Sequence, residues 1–234
     1  MATAELLLDT KSVLGEGPIW DVEDKCLWWI NIEEGLVHRY DPSTNDNQTF
    51  EIGQRVGTVV RRQSGGLMLA LVEGIGAYDL ESRKLEILCD PESGMEDNRF
   101  NDGKCDPAGR FWAGTLNFKD ESVPSGSLYC LHADGKIVKH FDGVQVSNGI
   151  VWTSDARTMY YIDSPTRSID AFDFDNATGE ISNRRSVVQF TEEQGYPDGM
   201  TIDSEDMIWV AQWAGWGVTP VSYTHLTLPT ICSV

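Results

Sequence analysis

Four polar residues occupy the same place in a phrase that recurs along this chain of 234 residues. Glu16 opens Glu16-Gly17-Pro18-Ile19-Trp20-Asp21, and Asn101 opens Asn101-Asp102-Gly103-Lys104-Cys105-Asp106. Asn148 opens Asn148-Gly149-Ile150-Val151-Trp152-Thr153, and Asp198 opens Asp198-Gly199-Met200-Thr201-Ile202-Asp203. A weaker copy starts at Thr58 and reaches Gln63 and Leu69. The five starts are separated by 42, 43, 47 and 50 residues, and an apolar residue follows each by 11 or 12 positions: Trp28, Leu69, Trp112, Tyr160 and Trp209. Self-similarity at such a period points to a propeller or a solenoid. Repeats packed around an axis bring equivalent positions together, so four residues scattered along the chain can form one oxygen-rich pocket.

Local signals choose the propeller. Short runs rich in aromatic and β-branched residues recur at Cys26–Ile30, Gly66–Leu71, Thr158–Ile162 and Met207–Ala211. Turn residues such as Asp134-Gly135, Asp106-Pro107-Ala108-Gly109 and Asn176-Ala177-Thr178-Gly179 separate the runs, which therefore read as strands. No window carries a sustained apolar spacing of three and four residues, so long helices are not expected. Roughly four strands fit in each repeat, the content of a propeller blade. The repeat runs on without a linker, which favours one all-β domain.

A net charge of −19, from 18 basic and 37 acidic residues, argues against nucleic acid and anionic membrane surfaces as partners. The residues after Met1 lack the basic start and the apolar length of a signal peptide, and no stretch reaches the roughly 20 apolar residues that span a bilayer. Cys26, Cys89, Cys105, Cys130 and Cys232 form an odd, widely spaced set with no Cys-x-x-Cys pair. Free thiols in a reducing cytoplasm are the simplest account.

The recurring residues have two readings. Asn148-Gly149 and Asp198-Gly199 are favoured hairpin dipeptides, so they could merely form turns. Their recurrence at equivalent starts favours convergence on an axis. Carboxylate and amide oxygens suit calcium, magnesium or manganese, and carboxylates also hold zinc. His38, His132, His140 and His225 lack the close spacing of a histidine-rich zinc site. Few protein ligands leave positions open for water and substrate, as at catalytic metals. Arg99 stands two positions before Asn101, so in an extended segment both face the same side and could hold a polyhydroxylated ligand. A surface arginine paired with Asp97 or Asp102 is the alternative. No Gly-x-Ser-x-Gly elbow and no phosphate-binding Gly-x-x-x-x-Gly-Lys-Ser/Thr loop is present. Trp28, Trp29, Trp112 and Trp209 read as blade-packing residues.

Leu14–Asp21, Asn98–Lys104, Ser147–Ile150, Tyr161–Ser164 and Tyr196–Met200 resemble, in order, motifs of the senescence marker protein-30/gluconolactonase/regucalcin-like family. The resemblance covers about residues 5 to 218. It implies a six-bladed β-propeller with one divalent metal ion at its axis. It also implies hydrolysis of a gluconolactone-type sugar lactone to the aldonic acid. By resemblance Glu16, Asn148 and Asp198 are the metal ligands, Asp198 also moves protons, and Arg99 and Asn101 bind the substrate. An acidic substrate-contacting position of the family falls near Lys119, so that a cation replaces an acceptor there. Related propellers hydrolyse other esters or organophosphates, and a calcium-binding protein without enzymatic activity is a further alternative.

Five repeat starts are present where the family has six blades. Residues 219–234 contain no acidic residue and no Asp-Gly turn, and they do not resemble the family. The expectation is a propeller over residues 1–218, truncated to about five blades, followed by a non-native or divergent tail.

Overall fold

The computed structural model describes residues 5–221 and the backbone of Cys232–Ser233. Its elements are five four-stranded antiparallel sheets, each with strand order following the chain. The first blade contains β1 (Gly15–Asp21), β2 (Cys26–Asn31), β3 (Leu36–Asp41) and β4 (Asp46–Glu51). The second contains β5 (Val56–Arg61), β6 (Leu67–Leu71), β7 (Ile75–Tyr78) and β8 (Leu85–Cys89). The third contains β9 (Asn98–Cys105), β10 (Phe111–Asn117), β11 (Gly126–Leu131) and β12 (Ile137–Val144). The fourth contains β13 (Ser147–Trp152), β14 (Thr158–Asp163), β15 (Ser168–Phe174) and β16 (Ile181–Gln189). The fifth contains β17 (Tyr196–Ile202), β18 (Ile208–Trp213), β19 (Gly217–Val221) and β20 (Cys232–Ser233). The chain is therefore a five-bladed β-propeller. The only helical turns among the described residues are two short 3₁₀ turns, Ser164–Thr166 and Glu192–Gln194. No helix among the described residues is long and apolar enough to cross a membrane.

Every repeat start lies in the first strand of its blade, and these five strands line the axis. Apolar side chains alternate along the strands, so each blade packs against both neighbours. Trp28 and Ile30 meet Leu67 and Leu69 between the first two blades. Phe100 and Tyr129 meet Ala70 and Ile75 at the next interface. Trp112 and Leu128 meet Ile150 and Tyr161, and Val151 and Ile162 meet Ile208 and Val210. Between the fifth blade and the first lies a cavity of about 470 Å³, lined by Trp20 and Leu27 on one side and Trp209 and Val218 on the other.

β19 runs to Val221, three residues past the boundary expected at 218. Thr219 stands opposite Val210 and its hydroxyl donates to Gln212 Oε1 at 2.8 Å, so cross-strand pairing carries these residues into the blade. The remainder of the expected tail, residues 222–231 and Val234, lies outside the described residues. All four described cysteines are free thiols.

Two blades share a tie that the repeat encodes. In the third, Asp106 accepts Trp112 Nε1–H at 2.9 Å, Arg110 Nε–H at 2.5 Å and the amides of Ala108 and Arg110 at 3.0 Å. In the fifth, Asp203 accepts Trp209 Nε1–H at 2.9 Å and the amides of Glu205 and Met207 at 2.9 Å. The third-blade tie is buried, and Arg110 continues from it to the carbonyl of Asn176 in the fourth blade. Asp106→Ala should cost about 3–5 kcal/mol in urea unfolding, because it leaves a buried guanidinium unpaired. Asp203→Ala should cost clearly less, because its tie is open to water. Equal losses at the two positions would contradict this ranking.

Candidate functional site

The phrases that read as turns are not turns. Asn148-Gly149 and Asp198-Gly199 lie inside β13 and β17, and neither glycine has a positive φ. What they form instead is a break in strand pairing. The register slips between Glu16 and Ile19, between Ser147 and Ile150, and between Pro197 and Met200. In β9 it slips between Phe100 and Gly103, leaving Asn101 and Asp102 unpaired in the ladder with β10. In β5 it slips between Val56 and Thr58. A bulge frees residues from alternation and re-aims their side chains. Here it turns the polar residue of each inner strand toward the axis. The glycines serve close approach: a Cβ on Gly149 would lie 2.8 Å from Met200 N and 2.9 Å from Asp198 O.

Glu16, Asn101 and Asn148 line both the cavity between the first and fifth blades and a second, upper cavity of about 420 Å³. They form the partition between the two. Asp198, Arg99 and Glu121 open into the upper cavity, and Asp102 and Lys104 into the lower one. The sequence-derived set, Glu16, Arg99, Asn101, Asn148 and Asp198, is therefore brought together from four blades.

Hydrogen bonds within and between blades hold most of these side chains. Asn148 Nδ2 donates to Ser164 Oγ at 2.9 Å, and Ser164 donates to the carbonyl of Pro197 at 2.7 Å, beside Asp198. Asn101 Nδ2 donates to the carbonyl of Ser147 at 2.7 Å. Arg99 Nη1 donates to Asn101 Oδ1 at 2.7 Å and to the carbonyl of Phe100 at 3.0 Å. Arg99 and Asn101 do share one side, and Arg99 is paired with neither Asp97 nor Asp102. Its Nε–H is buried without a partner. Thr58, the start that lacks an acid or amide, donates to the carbonyl of Gly103 at 3.1 Å and ties β5 to β9.

Acidic groups outnumber basic ones at this site. Burial, then the Asp198 and Asp102 carboxylates, push Glu16 up to about 8. Burial and Asp102 push Asp198 up to about 6, against hydrogen bonds from Gly199 and Asn148. Burial also raises Asp102 and lowers Lys104, whose ammonium donates to the carbonyl of Met200 at 3.0 Å. Two carboxylates and an amide thus line one cavity, with the proton affinities of the carboxylates raised by burial and neighbouring acidic groups. That donor set fits a hard or borderline divalent ion such as calcium, magnesium, manganese or zinc.

A second acidic group, Asp21, Asp24 and Cys26, brings its ligand atoms within 4.8 Å of one another at the far end of β1. Arg61 already neutralises it, at 3.1 Å from Asp21 and 3.3 Å from Asp24. Burial raises the Cys26 thiol, which disfavours the thiolate that a metal needs. Of the described histidines, His38 and His140 are stacked on Trp29 and Trp112, and none lines the axial cavities.

Lys119 lines neither axial cavity. It is exposed and pairs with Asp97 at 3.4 Å, while Glu121 and Ser122 line the upper cavity. Asn117 accepts the amides of Lys119 and Asp120, and Asp120 accepts those of Ser122 and its hydroxyl. These two successive side-chain turns carry Glu121 inward, so the wall keeps an acceptor. The Asn-x-x-Asp-x-Ser pattern was the readable signal for that turn. Asp102 and Lys104 were missed as axial residues because strict alternation hides consecutive positions beside a bulge.

Known proteins share this fold. A family model described as the SMP-30/Gluconolactonase/LRE-like region matches residues 14–226. YvrE of Bacillus subtilis (strain 168), provisionally named a sugar lactone lactonase, is 40% identical over 212 residues, covering 91% of this chain and 72% of that protein. Regucalcin of Xenopus laevis is 41% identical over 208 residues, covering 86% of this chain and 69% of its own. The crystal structure of a calcium-binding regucalcin from Agrobacterium tumefaciens str. C58 superposes with a TM-score of 0.90 at 26% identity, covering 97% of this chain and 77% of the other. The chain belongs to the SMP-30/gluconolactonase/LRE-like family.

Proposed function

We propose that this protein is a divalent-metal-dependent lactonase that opens a gluconolactone-type sugar lactone to its aldonic acid. The observation that carries this reading is the convergence of Glu16, Asn148 and Asp198 beside an arginine with an unsatisfied buried N–H. A relative named as a sugar lactone lactonase supports the substrate class. Glu16, Asn148 and Asp198 would hold the ion. When bound, it supplies a Lewis acid for the lactone carbonyl and lowers the pKa of water.

The chain's own residues account for the remaining steps. Arg99 offers its guanidinium, and Glu121 offers carboxylate oxygens, to hydroxyls of the sugar. Asn101 is fixed by Ser147, and Arg99 by Asn101, so substrate contacts are oriented before binding. Asp198 takes a proton from the attacking water as the new carbon–oxygen bond forms. It returns that proton to the ring oxygen as the ring carbon–oxygen bond breaks. The upper cavity, at about 420 Å³, has room for a monosaccharide lactone and ordered water.

Asp198→Ala should lower kcat by about 10²–10⁴-fold, the span associated with a lost acid–base group. The assay is gluconolactone hydrolysis with calcium, zinc, manganese or magnesium supplied in turn. Arg99→Met should chiefly raise KM. Unchanged turnover in Asp198→Ala would sink the assignment. Calcium binding with no turnover of any lactone would mark a calcium-binding protein instead.

The charge imbalance gives a second prediction, on stability. With chelator present, Glu16 and Asp198 bind protons more tightly folded than unfolded. Their stabilising contribution is complete below the ordinary carboxylate range, and it is lost as pH rises through about 6 and then about 8. Thermal unfolding should therefore occur at falling temperature between about pH 5 and about pH 8. The double variant Glu16→Gln/Asp198→Asn should flatten that fall, and calcium should reverse it in the unaltered protein. An equally steep fall in the variant would assign it to other groups.

A further inference from the structure

At the other end of the strands, the first two blades enclose an open cleft of about 530 Å³. Arg39, Arg61 and Arg83 line it, with Asp24 as the only carboxylate among its lining residues. Three of the 18 basic residues thus meet in one cleft of a chain that carries 37 acidic ones. Asp21, which contacts Arg61 here, follows Glu16 by five residues of β1, about 16 Å of extended chain. The cleft shares no lining residue with either axial cavity.

The three guanidinium groups differ in what they already bind. Arg61 is engaged by Asp21 and Asp24 and stands over the Trp28 ring at 5.6 Å. Arg39 stands over the same ring at 5.8 Å and reaches the Cys26 thiol. Arg83 stands over Phe50 at 5.7 Å. Among the described residues neither Arg39 nor Arg83 has a carboxylate within ion-pair distance. Aromatic shelves orient both while leaving N–H groups unused.

Beneath the cleft, the indole tie seen in two other blades is missing. Trp28 is fully buried, and its Nε1–H has no partner. The equivalent indoles of the third and fifth blades each donate to an aspartate, Asp106 and Asp203. In the first blade the equivalent aspartate is Asp21, which is turned toward Arg61 and the amides of Glu23 and Asp24. The repeat's own acceptor has been drawn away, and Gln48 and Thr49 complete the wall.

We infer that this cleft between the first two blades is a binding site for a small phosphate-bearing anion, separate from the axial site. Oriented guanidinium forks match tetrahedral oxyanions, which accept several charge-assisted hydrogen bonds at once. The strongly negative net charge repels anions at long range, so binding depends on these short-range contacts. The ligand is either free phosphate or the phosphate group of a small metabolite, and the chemistry is common to both.

The test is calorimetric titration of the full chain with inorganic phosphate and, separately, with glucose 6-phosphate. Thermal unfolding and gluconolactone hydrolysis are followed in parallel. We expect saturable binding of one phosphate group per chain and an upward shift in unfolding temperature. Arg39→Gln/Arg83→Gln should weaken binding by about tenfold or more for each guanidinium removed. Arg83→Gln alone alters only an exposed turn residue, so it reports on binding even if the double variant folds poorly. Tighter binding of the sugar phosphate identifies an organic ligand, and equal affinity identifies free phosphate. Phosphate binding absent from the unaltered protein, or undiminished in Arg83→Gln and the double variant, would overturn the inference. Neither result depends on lactone hydrolysis, which is read at the other site.

Discussion

A bulge in the first strand of every blade is the constraint on which the site depends. An unbroken inner strand would alternate its side chains between the two neighbouring blades and give nothing to the axis. The slip at Glu16, at Asn101 and Asp102, at Asn148 and at Asp198 releases those residues from that alternation. Lost ladder pairing is offset by ties between blades: Asn101 to Ser147, Thr58 to Gly103, Lys104 to Met200, and Asn148 through Ser164 to Pro197. These bonds run sideways around the axis. They join the inner strands of the second to fifth blades and fix the side chains of Asn101 and Asn148.

The same strands manage charge. Asn at 101 and 148 contributes polar atoms without charge, which leaves Glu16 and Asp198 as the carboxylates at the proposed ion position. Asp102 lies beside Lys104 below, and Arg99 shares the upper cavity with Glu121. What remains is a pair of carboxylates with raised proton affinity, which Arg99 offsets only in part at Glu16. A divalent ion, or protons, must complete that balance. The Asp21–Asp24–Cys26 group lacks such a need, because Arg61 already supplies its positive charge.

Much of this was legible in the chain itself. The period of the repeat, the aromatic runs and the Asp-Gly turns led to the propeller, to its five blades and to the residues that converge. The Asx-Gly phrases were ambiguous, because a hairpin and a bulge ask for the same small and polar residues. Only packing between neighbouring inner strands, as at Gly149 against Asp198 and Met200, decides for the bulge. Lys119 misled because counting along the chain ignores the two side-chain turns that bring Glu121 inward. Asp102 and Lys104 escaped notice for a related reason: alternation fails beside a bulge. The diversion of Asp21 from Trp28 to Arg61 depends on a residue of another blade, which spacing within one repeat does not reveal.

The most direct test of the axial site is calorimetric titration of the chelator-treated protein with calcium and with zinc. The account predicts one site per chain for the ion that binds. That site should be lost in Glu16→Gln/Asp198→Asn and kept in Asp21→Asn/Asp24→Asn. Binding that survives the axial double variant, or disappears with the Asp21 and Asp24 substitutions, would place the ion elsewhere and contradict the central claim.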